Sequence, residues 1–162
     1  MVDQGPFAYW VILATFFLAL VLAVLPLPAW LDWGRPEWVA LVLIYWVIAL
    51  PQRVGIATAL LLGVMLDVTE GAVMGQNAFA LVAVSLLGLL LYQRLRLFSL
   101  WQQSAVVFVL ISINQMICQW VQNLEGAGAQ SLFFLLPAVS SALLWPFVLQ
   151  SMRGLRRYYR VS

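Results

Sequence analysis

Asp67 and Glu70, two carboxylates, sit only three residues apart at the end of an apolar stretch. Nothing nearby supplies a nucleophile or a further metal ligand. The chain has no His, which removes the usual general base and the commonest nitrogen ligand. Its single cysteine, Cys118, lies in an apolar run with no intrachain disulfide partner and reads as a small buried hydrophobe. There is no Gly-x-Ser-x-Gly, no metal-ligand cluster and no phosphate loop. The expectation is a chain with no catalytic residues, no metal and no cofactor. Glu70 reads as an exposed loop acid. Asp67 is open between an exposed acid and a carboxylate at membrane depth, where a charge is costly and marks a functional site by default. If buried, it needs a partner. The candidate is a structural pair with Arg35, since Arg grips a carboxylate with two parallel hydrogen bonds. The alternative is capping of backbone N–H groups in the Glu70–Gly75 loop.

The elements that must position these side chains are apolar. Of 162 residues, 65% are hydrophobic and 9% charged, where a soluble domain is nearer half apolar and a quarter charged. Six apolar runs predict membrane spans at approximately 7–25, 36–51, 54–67, 77–92, 104–121 and 131–152, all in one transmembrane domain, 1–162, that ends in a basic cytoplasmic tail, 153–162. The fold class expected is all-α: a polytopic membrane protein with six transmembrane helices in one compact bundle. The segment before the first run carries Asp3 and no basic side chain, and no small-x-small cleavage site follows, so the run is read as a retained span. The apolar parts of runs two and three, Trp38–Leu50 and Val54–Leu66, make only about 20 Å of helix each at 1.5 Å per residue. A bilayer core is about 30 Å, so both need flanking residues or protein neighbours to complete a crossing. Pro137 and Pro146 are expected kinks in the sixth span.

Charge placement orients the spans. All eight basic residues are Arg. With the N-terminus inside, the inner segments hold Arg53, Arg94, Arg96, Arg153, Arg156, Arg157 and Arg160. The outer loops hold Asp32, Glu37, Asp67, Glu70 and Glu125, with Arg35 alone against them. Basic side chains stay on the cytoplasmic side of short loops, which predicts both termini inside. The rival is a re-entrant hairpin of runs two and three. It would put Arg53 near mid-membrane at about 2.5–3.5 kcal/mol.

Two further patterns concern packing. Gly55, Ala59, Gly63, Asp67, Gly71 and Gly75 recur every fourth position, and the small residues form a ridge along which a second helix could approach closely. Ser112, Gln115, Gln119 and Gln122 form a polar stripe with Asn114 beside it, either glue between helices or the lining of a polar cavity. Trp30, Trp33, Trp38, Trp101, Trp120 and Trp145 lie near span ends and read as headgroup-zone anchors. The segment Arg94–Phe98 and the tail Arg153–Arg160 mix Arg with apolar residues, as inner-surface segments meeting anionic lipid do. The tail is also a plausible partner contact. A charge of +2 gives no reason to expect nucleic acid.

Several stretches, in order, resemble the rod-shape-determining protein MreD family. They are Arg35-Pro36-Glu37-Trp38; Tyr45-Trp46 followed by Ala49-Leu50-Pro51-Gln52-Arg53-Val54; Gly63 to Asp67 with Gly71 and Gly75; Leu100-Trp101-Gln102-Gln103; and Leu144-Trp145-Pro146. The resemblance covers nearly the whole chain; the loop Gln122–Gln130 lies outside it. It implies a subunit of the bacterial inner (cytoplasmic) membrane acting in cell elongation and rod shape. It implies as partners an MreC-like bitopic scaffold protein, the glycosyltransferase and transpeptidase pair that builds peptidoglycan, and the actin-like MreB filament. It also implies a fold like the substrate-binding subunits of energy-coupling-factor transporters. It brings no catalytic residues. The preferred expectation is a non-catalytic scaffold. The alternative is a solute-binding membrane subunit of a transporter, with Asp67 and Gln115 facing an outward cavity.

Overall fold

The computed structural model describes residues 7–32, 34–126 and 135–160. Those residues form helices joined by turns, with no strand among them. The helices are α1 (Phe7–Val24), α2 (Ala29–Asp32), α3 (Trp38–Ala49), α4 (Ile56–Glu70), α5 (Gln76–Leu97), α6 (Leu100–Leu124) and α7 (Leu136–Tyr158). Trp33, the first residues of the sixth apolar run (131–134) and the last two of the tail lie outside the described residues, as does Asp3.

Each long helix lies on one of the six apolar runs, but four outrun theirs, α4 by continuing past Asp67 to Glu70. α5 continues through Gln93, Arg94 and Arg96 to Leu97, and α7 carries Arg153, Arg156 and Arg157 in its final turns. The expected tail is therefore helical as far as Tyr158. α6 begins four residues before its apolar run because Ser99 and Gln102 form a capping box, with the Ser99 backbone N–H donating to Gln102 Oε1 at 3.1 Å. Hydropathy marks where a helix is apolar, whereas caps and helix-compatible polar residues set where it ends. Pro137 falls in the first turn of α7, where its missing N–H costs nothing, and is not a kink. Pro146 does lie inside the helix.

α3 is the axis of the molecule. From Val39 to Val47 no residue exceeds 8% exposure, and α1, α5, α6 and α7 all pack against it. Its twelve residues span only about 18 Å. A helix buried on every side is apolar all round, and α3 is so. It is tied to α1 by a buried relay in which Trp46 Nε1 donates to Thr15 Oγ1 at 2.9 Å and Thr15 Oγ1 donates to the Ile12 carbonyl at 2.7 Å. α4 lies against α5, and α5, α6 and α7 follow as neighbours. On the outside the apolar residues face away from protein: Phe17, Leu61, Leu90, Leu143 and Phe147 are all exposed. By length and composition α5 and α6 can each cross a bilayer; α1 and α3 are apolar but shorter.

The bundle has two chemically different ends. At one, Arg96 Nε and Nη2 donate to the Ile48 and Ala49 carbonyls at 2.9 and 3.1 Å, fastening the C-terminus of α5 to that of α3. Arg53 lies over the Tyr9 ring at 5.0 Å, so the α3–α4 turn sits beside the start of α1. Gln103 Nε2 donates to the Leu95 carbonyl at 2.8 Å, and Trp145 Nε1 donates to Gln103 Oε1 at 3.3 Å. Trp145 is fully buried in that link. Its indole is a structural donor inside the bundle, not the headgroup anchor expected from its place in the sequence. Trp30, Trp101 and Trp120 are exposed. Asp32, Glu37, Asp67, Glu70 and Glu125 belong to the opposite end.

Candidate functional site: a buried polar cluster at the acidic end

The cluster begins with a helix approach. A Cβ on Gly63 would stand 2.2 Å from Ala78 Cα and 2.5 Å from its N, so α4 and α5 touch backbone to backbone there. One turn on, on the same face of α4, Asp67 is 2% exposed. Its Oδ2 accepts the Gly75 N–H at 2.8 Å and its Oδ1 accepts the Asn77 N–H at 2.9 Å. The first N–H groups of a helix lack intrahelical acceptors, and that end carries partial positive charge. A carboxylate from the neighbouring helix satisfies both needs of α5 at once.

The Asp67–Arg35 pair does not form. Arg35 Nη1 donates to the Ala23 carbonyl, and its Nε lies 3.8 Å from Asp32 Oδ1. Arg35 joins the ends of α1 and α2 to the approach of α3, while Asp67 takes the other course open to it, capping N–H groups at the Gly75 end of the loop. The ridge is also shorter than its fourfold spacing implied. Ala59 and Gly63 are buried in α4, and Gly55 precedes the helix with room to spare, a Cβ there meeting Leu89 at 3.8 Å. Gly71 and Gly75 lie beyond the helix with φ of +64° and +93°. They are there for a left-handed backbone, which only glycine adopts freely, and not for packing.

Asn77 is the hub that the sequence reading missed. Besides its backbone bond to Asp67, its Nδ2 donates to Glu70 Oε2 at 3.1 Å and its Oδ1 accepts the Cys118 thiol at 3.6 Å. Glu70, expected to be a free loop acid, is exposed but held by this amide. The signal available was a polar residue directly after the Gly75 turn, at the start of an apolar helix.

Glu37 joins α3 to the other side of the cluster. It lies in the linker just ahead of α3, where its backbone N–H donates to Ser141 Oγ of α7 at 3.0 Å and its Oε1 accepts Gln115 Nε2 of α6. The polar stripe of α6 is thus not a single ladder. Gln115 crosses to Glu37, Ser112 donates back to the Phe108 carbonyl of its own helix at 2.7 Å, and Gln119 donates to Asn123 at 3.3 Å. Gln122 is half-buried. Asn114 is buried, and its Oδ1 has no hydrogen-bond partner among the described residues.

The cluster does structural chemistry. Asp67, Asn77, Gln115 and Glu37 use their polar atoms on one another and on backbone, joining α3, α4, α5, α6 and α7. Among the described residues no three His, Cys, Asp or Glu side chains are grouped as a metal ion would need. Two of the motifs that carried the family resemblance, Arg35 to Trp38 and Gly63 to Asp67 with Gly71 and Gly75, meet in this region. The family model for the rod shape-determining protein MreD matches residues 5–155.

The chain belongs to the MreD family. The rod shape-determining protein MreD of Haemophilus influenzae is 35% identical over 153 residues, covering 92% of each chain. No solved structure matches. For an MreD-family chain the role in determining rod shape is the family's own, and its apolar helices are those of a membrane protein.

Proposed function

We propose that this chain is a non-catalytic inner-membrane scaffold subunit of the bacterial cell-elongation complex. It crosses the membrane six times with both termini in the cytoplasm, a fold akin to the substrate-binding subunits of energy-coupling-factor transporters. It binds an MreC-like bitopic protein, supports the glycosyltransferase and transpeptidase pair, and acts with the actin-like MreB filament indirectly. The observation that carries the reading is the family match over nearly the whole chain, joined to a bundle whose arginines, Arg35 apart, lie at one end and whose carboxylates lie at the other. Positive charge retained inside then orients it. Runs two and three, as short helices, cross with the help of the neighbours packed around them. A scaffold also fits a polar cluster whose groups are spent on holding helices together. The solute-binding alternative would need Asp67 and Gln115 to face a cavity, and both are engaged by Gly75, Asn77 and Glu37.

Two measurements test this. Cysteines introduced after residues 53, 96 and 160 should all be shielded from an impermeant reagent applied outside; outward labelling at 53 would overturn the topology. Gentle detergent purification should recover a bitopic scaffold protein. Recovery of ATPase subunits or a bound vitamin instead would assign the chain to transport.

A further inference from the structure

At the basic end the helices form a half-open cavity of about 330 Å³ lined by Tyr45, Ile48, Ala49, Arg96, Gln103, Leu149, Arg153 and Arg156. It is built by four helices. α3 supplies Tyr45 and its own C-terminus, α5 supplies Arg96, α6 supplies Gln103, and α7 supplies Arg153 and Arg156 on adjacent turns. Among the described residues no carboxylate lines it, because the acidic side chains of the described helices lie at the other end of the bundle. Arg96 is fixed in place by its bonds to the Ile48 and Ala49 carbonyls. Gln103 is fixed by Leu95 and Trp145. Both guanidinium groups of α7 act electrostatically on Tyr45. Three guanidinium groups from two helices thus converge on one half-open space, where their positive charges add.

We infer that this cavity binds a phosphate group. Guanidinium groups match phosphate with paired N–H donors, the Tyr45 hydroxyl, buried and without a hydrogen-bond partner among the described residues, adds a neutral donor, and the Ile48, Ala49 and Leu149 side chains give an apolar floor. The phosphate has two sources of the same chemistry: the headgroup of an anionic phospholipid, and a soluble phosphate. The lipid source draws on the proposed membrane placement. Basic pockets between helices on the cytoplasmic side take anionic headgroups. The inference is independent of which proteins the scaffold binds, so partner recovery and phosphate binding can fail separately.

The test uses the full chain in a neutral detergent at fixed ionic strength, with thermal unfolding followed by tryptophan fluorescence. The quantity read is the shift each ligand produces, because Arg156 has other interactions and its replacement can lower the baseline. Dioleoylphosphatidylglycerol is compared with dioleoylphosphatidylcholine, and inorganic phosphate with sulfate-free buffer. The variants are Arg153→Gln/Arg156→Gln and, as a control with the same charge loss outside the cavity, Arg94→Gln/Arg157→Gln. At a hundredfold excess over Kd a bound ligand should raise the midpoint by roughly 5 °C. A shift with phosphatidylglycerol alone, lost in the first double variant and kept in the second, assigns a lipid headgroup. An equal shift with inorganic phosphate, with the same variant pattern, assigns a soluble phosphate. No shift with either ligand, or equal loss in both double variants, overturns the site and leaves only a diffuse basic surface.

Discussion

The Asp67 carboxylate of α4 accepts the backbone N–H of Asn77 at 2.9 Å while its second oxygen accepts Gly75 at 2.8 Å. One side chain therefore closes the turn between residues 67 and 77 and caps the next helix. Asp67→Asn leaves one oxygen to serve two N–H groups and removes the charge that favours both, so a loss of about 1–3 kcal/mol is expected. Arg35→Gln acts on Ala23 and Asp32 instead, and sites without shared partners add within about 0.5 kcal/mol. Unfolding of the two single variants and the double variant in micelles measures this. A coupling well beyond that range would restore the direct pair.

Gly63 and Gly55 make a controlled contrast. A methyl at 63 would meet backbone at 2.2 Å, while one at 55 meets only the end of Leu89 at 3.8 Å. Gly63→Ala should cost at least the 1–3 kcal/mol typical, roughly, of overpacking, and lower the yield of folded protein. Gly55→Ala should be close to neutral. Equal tolerance of both, read by size-exclusion profile and melting midpoint, would mean that α4 and α5 are not in backbone contact.

Glu37 links three helices, since its Oε1 accepts Gln115 Nε2 of α6 and its backbone N–H donates to Ser141 Oγ of α7. Glu37→Ala leaves the Gln115 amide without its acceptor and should cost about 1–3 kcal/mol. Glu37→Gln keeps an oxygen for Gln115 and should cost less. Equal loss in the two variants, read by melting midpoint in micelles, would remove that bond from the explanation.

The Thr15–Trp46 bond joins α1 to α3 inside the core. Thr15→Val preserves shape and leaves the indole N–H buried without an acceptor, at about 1–3 kcal/mol. Trp46→Phe also removes the donor, so the double variant should cost less than the sum. Strict additivity in the same unfolding measurement would show that the bond contributes nothing.

Much of the helical layout was legible because apolar runs separated by Pro, Gly and charge leave few options for a chain this hydrophobic. The family resemblance was legible too, through motifs such as Arg35-Pro36-Glu37-Trp38. The site was legible only in parts. Asp67 stood out as a carboxylate at the end of an apolar helix, and Gly63 as a place for close approach. Arg35 was misassigned because charge placement puts two groups at the same end of a bundle without saying which carbonyl or carboxylate each can reach. Gln115 and Glu37 are 78 residues apart in sequence, and a pairing of that range leaves no local trace. Trp145 near a helix end looked interfacial, since only the packing of α6 on α7 reveals which way its indole points.

The enclosure of α3 also sets an order in time. α3 ends at residue 49, yet α5, α6 and α7, which cover most of it, are completed only by residue 158. A chain emerging from the ribosome therefore carries its most apolar packing surface with only α1 beside it until α5 is complete at Leu97, and without α7 until residue 158. Truncation before α7 strips the partner of Gln103 and the Ser141 hydroxyl that receives Glu37. Incomplete chains are thereby distinguishable from finished ones by the surface they leave open, and cellular proteases that act on opened states remove them first.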